Sequence, residues 1–203
     1  MVRAFILLAL GGADPPATPG HAPSSPAPCR LLYARTFGPP PRPGGPPRQR
    51  LRRKEELLAV ARQVASQCRL LQSSLGRPSS PQLPQLPDEP ISLQDAPGGL
   101  FQLPPGDPFP ERTTVAWLSV LALAFALVCD PQENLSLAEI TLRRLAPRLL
   151  VSLRLLSPGA DVLLRPETAD LLLDRLLPHG QMLFLNERFL QAMDREMGIK
   201  ASR

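Results

Sequence analysis

Residues 113–129 read TTVAWLSVLALAFALVC, and residues 130–155 continue DPQENLSLAEITLRRLAPRLLVSLRL. From Val115 to Cys129 no side chain is charged and one, Ser119, carries a hydroxyl. A bilayer-spanning helix needs about 20 such residues, so the run is short for that purpose. Charged flanks, Glu111 and Arg112 before it and Asp130 and Glu133 after it, also suit a globular interior. Two short strands buried on both faces would show no alternation and would read as one apolar run. The run is therefore read as strands over Thr113–Leu118 and Leu123–Cys129, turning near the small residues around Ser119 and Ala122. No Asn-Gly or Gly-Gly pair marks that turn, and a single membrane helix is the competing reading.

Downstream, Asn134 is placed to cap a helix running towards Leu156, with Asp130 and Glu133 near its positive end. Arg144, Arg148 and Ser152 line one of its faces. Pro147 removes the bond to the Arg143 carbonyl at about 3 kcal/mol unless the helix kinks, so a kink is expected. Pro166, Glu167 and Asp170 form the N-terminal pattern of another helix, which stops at Pro178-His179-Gly180. Asn186 can cap a last helix and Gly198 can end it.

Upstream, Val2–Leu10 reads as a strand; a signal peptide, with one basic residue and a short apolar stretch, accounts for the same letters less well. Arg30–Phe37 is a second strand, and a helix follows from about Gln49 to Leu75. Leu57, Ala61, Val64, Cys68, Leu71 and Leu75 make its apolar stripe, with small residues suited to close packing on a sheet rather than to a coiled coil. Leu100–Leu103 adds to a sheet edge. The order β-β-α-β-β-α with a helical tail predicts an α+β fold, an antiparallel sheet covered by helices, in one domain over 1–203.

The chain holds 27 prolines, clustered in segments 11–28, 38–47 and 76–110, which are read as exposed loop insertions. The spacing Pro81, Pro84, Pro87 fits a polyproline II turn, although a solvated linker is the preferred reading. About 140 residues remain, enough for a core.

The net charge of +5 is local: between Arg48 and Arg77 eight basic residues face only Glu55 and Glu56, a balance of +6. Arg48, Arg50, Arg52, Arg53 and Lys54 at the helix start form the candidate contact for an acidic partner: anionic lipid, nucleic acid or an acidic protein surface. A solvated face is the bland alternative. Three separated cysteines, Cys29, Cys68 and Cys129, indicate neither a disulfide framework nor zinc, and the last two sit on apolar faces. The two histidines, His21 and His179, lie in a Pro-rich segment and a turn. No catalytic, cofactor-binding or metal-ligating motif is present, so a binding or assembly role is expected, with no small-molecule substrate.

Three stretches carry a family resemblance: MVRAFILLAL as a first strand; FALVCDPQENLSLAEITLRRL as a strand, an acidic corner and a helix opening; and LLLDRLLPHGQMLFLNERFLQAM as helix, Gly turn and final helix. Together they resemble the small (sigma) subunits of adaptor-protein coat complexes. CRLLYARTFG, RRKEELLAVARQV, AWLSVLALAFALV and LLPHGQMLFLN resemble in particular the branch belonging to the fifth such complex. The resemblance implies a longin-like fold with a five-stranded antiparallel sheet. It also implies a non-catalytic subunit of a cytosolic heterotetramer with two large subunits and one medium subunit. Such a complex acts in cargo sorting at late endosomes and lysosomes, without clathrin, with spatacsin- and spastizin-type partners and peripheral membrane association. A link to double-strand break repair by recombination, with a nuclear pool, belongs to the same implication. No cargo pocket carries over residue by residue, and the Pro-rich insertions depart from the compact family pattern. A membrane-anchored or secreted protein using 115–129 or the N-terminal stretch is the reading from another class. Nucleic-acid binding by the basic helix start is a third and less favoured one.

Overall fold

A computed structural model describes residues 1–11, 29–38, 47–74, 93, 96–155 and 166–198. Most of the three Pro-rich segments, including the Pro81–Pro84–Pro87 spacing and His21, lies outside the described residues, as does the expected helix end at Leu75.

The apolar run folds back on itself. Strands β1 (Val2–Leu10), β2 (Cys29–Thr36), β3 (Gly98–Leu103), β4 (Thr113–Val120) and β5 (Leu123–Cys129) form one sheet in the order β2-β1-β5-β4-β3. Every neighbouring pair is antiparallel. All residues of β4 and β5 are buried, which is why alternation was invisible in the letters. The two-residue turn between them, Leu121-Ala122, places Leu121 at φ 54°, and its Ala122 carbonyl accepts from the Leu10 amide at 2.7 Å. Among the described residues no helix is long and apolar enough to cross a membrane.

Helix α1 (Pro47–Ser74) covers one face, packing Val60, Ala61, Val64 and Cys68 on Ala4, Ile6, Leu8, Val115, Trp117, Ala124, Ala126 and Val128. The other face meets α2 (Leu135–Ser152), α3 (Pro166–Leu176) and α4 (Glu187–Glu196) through Phe5, Leu7, Leu118, Phe125 and Leu127. The architecture is thus three-layered and α+β, consistent with a longin-like fold. β3 falls inside the stretch 76–110 read as a Pro-rich insertion; its six residues contain no proline, and the prolines lie on either side of it.

Caps appear where the letters place them. The Asn134 side chain accepts from the Leu137 amide at 3.1 Å, and the Asn186 side chain accepts from the Phe189 amide at 2.8 Å. Helix α2 continues through Pro147 and ends at Ser152, short of Leu156, where Leu153 caps it and Arg154 turns to φ 46°. Pro178–Gly180 is a 3₁₀ turn with His179 exposed at φ 52°.

Candidate interaction site

Two places on this frame bear on the charged residues singled out in the sequence. One is the corner where β5 ends. A register shift between Val2 and Ala4 lets Val2 and Phe5 share one face and re-aims Arg3. Arg3 hydrogen-bonds Asp130 through Nε and pairs with Glu111 at 2.7 Å, while Asp130 and Glu133 both reach the Met1 ammonium. Burial works to raise the Asp130 pKa, but hydrogen bonds from Arg3 and the ammonium outweigh it and hold the carboxyl below its ordinary range.

The second place is the N-terminal end of α1. Arg50, Arg53, Lys54 and Leu57 are spaced to share one helix face, which continues into the buried stripe Ala61–Val64–Cys68. The structure separates the five sequence-predicted residues. Arg50 and Lys54 are exposed, and Arg48 lies in the first turn of α1. Arg52 turns back to donate to the Pro108 carbonyl at 3.0 Å and sits 3.8 Å from Glu56. Arg53 is half-buried and lines a cleft of about 250 Å³ between α1 and the sheet. Its walls are Arg3 and Ala4 of β1, Thr36 and Phe37 at the end of β2, Glu56, Leu57 and Val60 of α1, the Phe109–Pro110 segment, Thr113 and Val128.

Burial raises the Glu56 carboxyl, against the opposing pull of Arg52, Arg53 and Arg3. Only Arg53 and its helix neighbours were legible as site residues; Thr36, Phe37, Phe109 and Thr113 carry no local signal and meet only in the fold. The thiols offer little chemistry: burial pushes Cys68 up to about 11 and Cys129 up to about 12. Among the described residues no group of three His, Cys, Asp or Glu side chains is placed to hold a metal ion.

On the opposite layer, large apolar side chains face outward. Phe184 is 88% exposed, and Ile140, Val151 and Phe189 are also exposed. Arg144, one turn beyond Ile140, pairs with Glu187 at 3.4 Å, which ties α2 to the start of α4, three residues after Phe184. Beneath it, Arg148 holds the buried Asp194 bidentately, both bonds 2.8 Å.

The three-layered α+β domain is consistent with a longin-like fold. The family model described as AP-5 complex subunit sigma-1 matches residues 1–198. The human AP-5 complex subunit sigma-1 (Homo sapiens) is 52% identical over 173 residues, covering 83% of this chain and 86% of that protein. The mouse protein of the same name (Mus musculus) is 55% identical over 138 residues, covering 66% and 81%. The chain belongs to the AP-5 complex subunit sigma-1 family, the small subunits of an adaptor complex.

Proposed function

We propose that this chain is a non-catalytic subunit of a heterotetrameric adaptor complex, assembling with two large subunits and one medium subunit in cargo sorting at late endosomes and lysosomes. Its place is cytosolic and peripheral on those membranes, with spatacsin- and spastizin-type proteins as partners of the complex. The basic start of α1, Arg48 to Lys54, contacts an acidic partner. The observation that carries the reading is the family match across residues 1–198, which spans every element of the fold. Phe184 supports it, because a side chain of that size left 88% exposed is the kind of surface a larger subunit covers. A role in recombinational repair, implied by the same resemblance, has no supporting feature among the described residues.

The test is affinity purification of the tagged chain from cytosol. Two large chains and one medium chain should be recovered in equal amounts, and Phe184→Ser with Phe189→Ser should reduce that recovery at least tenfold. A well-behaved monomer recovered alone would overturn the reading. Carbonate extraction separates the alternative, since a membrane-anchored protein stays in the pellet.

A further inference from the structure

We propose that the cleft beneath the N-terminal end of α1 is an anchor pocket for a protein segment that presents one bulky apolar side chain flanked by carboxylates. The inference rests on the reading of α1 as a contact for acidic partners and adds to it a specific receptor for an apolar side chain.

The argument begins with the shape. At about 250 Å³ the cleft is smaller than the roughly 300–1,000 Å³ of small-molecule sites, and it suits a single inserted side chain. Part of its lining is apolar and buried: Ala4, Val60 and Val128 come from three elements, with Leu57 and Phe109 beside them, while Arg3, Thr36, Arg53, Glu56 and Thr113 supply polar groups. Buried apolar anchors seated in such pockets supply most of the binding energy at protein contacts.

Charge then selects the flanks of the occupant. Arg3, at the back of the cleft, is already committed to Asp130 and Glu111, and Glu56 lies beside Arg52. Arg53 forms no ion pair among the described residues, yet its half-buried side chain stands at the cleft wall. Arg50 and Lys54 extend the same helix face outward into solvent. Cationic side chains at a helix N-terminus oppose the macrodipole, and the first turn of α1 holds no acidic residue to offset them. Glu56, in the wall of the same cleft, interacts with Arg52, Arg53 and Arg3, and the exposed Arg50 and Lys54 leave the helix start positive beyond what that one carboxylate offsets. An anion resting on Arg53 with an apolar group below it answers both the charge and the apolar lining. A lipid headgroup would satisfy the charge alone and leave the apolar lining unused.

The test uses the full chain and a fluorescein-labelled peptide of sequence Glu-Asp-Gly-Phe-Gly-Asp-Glu, read by fluorescence polarisation. Its control peptide has Ala in place of Phe, and vesicles of phosphatidylcholine with phosphatidylserine serve as competitor. The Phe peptide should bind at least tenfold more tightly than the Ala peptide, and its affinity should fall as salt rises. Arg53→Glu should weaken it at least tenfold, Arg53→Lys should retain most of the binding, and Thr36→Trp, filling the cleft, should abolish the preference for Phe. Thermal melting of each variant shows that the fold is kept. Equal, salt-sensitive binding of the two peptides overturns the pocket while leaving the basic face in place. Absence of binding by either peptide overturns both readings. Displacement of the Phe peptide by anionic vesicles, with Arg53→Glu lowering vesicle binding in the same proportion, makes the site a headgroup surface and refutes the proposal.

Discussion

Asp194 is the position where this fold is most exposed to a single change. Its carboxylate, in a residue 5% exposed, receives Nε and Nη2 of Arg148 at 2.8 Å each, and Arg148 Nη1 donates to the Arg144 carbonyl at 2.7 Å. This pair ties α4, a short helix with two buried apolar residues, to the C-terminal part of α2. Substituting Asp194→Ala leaves a guanidinium, whose side chain is only 14% exposed, with two of its donors unmet. Removing one member of a buried pair costs about 3–5 kcal/mol, because the remaining charge stays desolvated. Partial access of Arg148 to water puts the expected loss at the lower end, about 3 kcal/mol, against a total stability of roughly 5–15 kcal/mol for a domain of this kind. Urea denaturation should show the loss as a lowered midpoint. Hydrogen exchange should show amides 187–196 losing protection before those of the sheet, since α4 loses its tether first. The double variant Arg148→Met with Asp194→Leu should recover to within about 1 kcal/mol of the wild type, as apolar replacements of buried pairs generally do. A loss below about 1 kcal/mol for Asp194→Ala, or a double variant as unstable as the single, would refute the reasoning.

Three further outcomes follow from the geometry. The Asp130 carboxyl is held below its ordinary value of 3.8, so the stability it contributes is complete above that value and lost as pH falls through its lower folded value; Asp130→Asn should flatten the acid limb of a pH–melting curve. Gly180 sits at φ +78°, and a Cβ there would come within 2.4 Å of the Val2 carbonyl and 2.6 Å of Phe37 Cβ, so Gly180→Ala should cost more than the about 1–3 kcal/mol of backbone strain alone, read by thermal melting. Iodoacetamide at pH 8 should modify Cys29 of the native protein and spare Cys68 and Cys129, whose thiols burial holds at about 11 and about 12, with all three labelled in denaturant; mass spectrometry counts the adducts.

The sheet and helices were legible because each rests on a local pattern: an uncharged run for β4 and β5, an apolar stripe for α1, Asn caps for α2 and α4. β3 was only glimpsed, through Leu100–Leu103, because its first residues, Gly98 and Gly99, read as loop. The reason lies on the neighbouring strand. A Cβ at Gly98 would approach the Trp117 carbonyl to 2.7 Å, and one at Gly99 would come 3.3 Å from the Trp117 indole nitrogen. Glycine there follows from close approach to β4 rather than from a turn, and no reading of residues 96–103 alone can distinguish the two. The β4–β5 turn was hidden for a related reason, since Leu121 takes a positive φ that glycine or asparagine ordinarily signals. For the cleft, the basic run pointed to α1 but not to what lies under it. Phe109 sits in a proline-rich stretch, and Thr36 and Phe37 close a strand, so nothing in either neighbourhood links them to Arg53.

The two sheet faces are filled differently. Towards α2, α3 and α4 the sheet presents Phe5, Leu7, Leu118, Phe125 and Leu127, large side chains that hold helices at a distance and fill the gap. Towards α1 it mixes Ala124 and Ala126 with Ile6, Leu8, Val115 and Trp117, and the helix answers with the small residues Ala61, Ala65 and Cys68. At the N-terminal end the helix stripe changes to Leu57 and Arg53, and Arg3, Ala4, Thr36 and Phe37 line the cleft there. The opening brings Ala4, Val60 and Val128 together with Arg3, Arg53 and Glu56. Ala126 is fully buried under α1, so Ala126→Leu should push against the helix and destabilise the protein by about 1–3 kcal/mol, the usual cost of overpacking, read by urea denaturation.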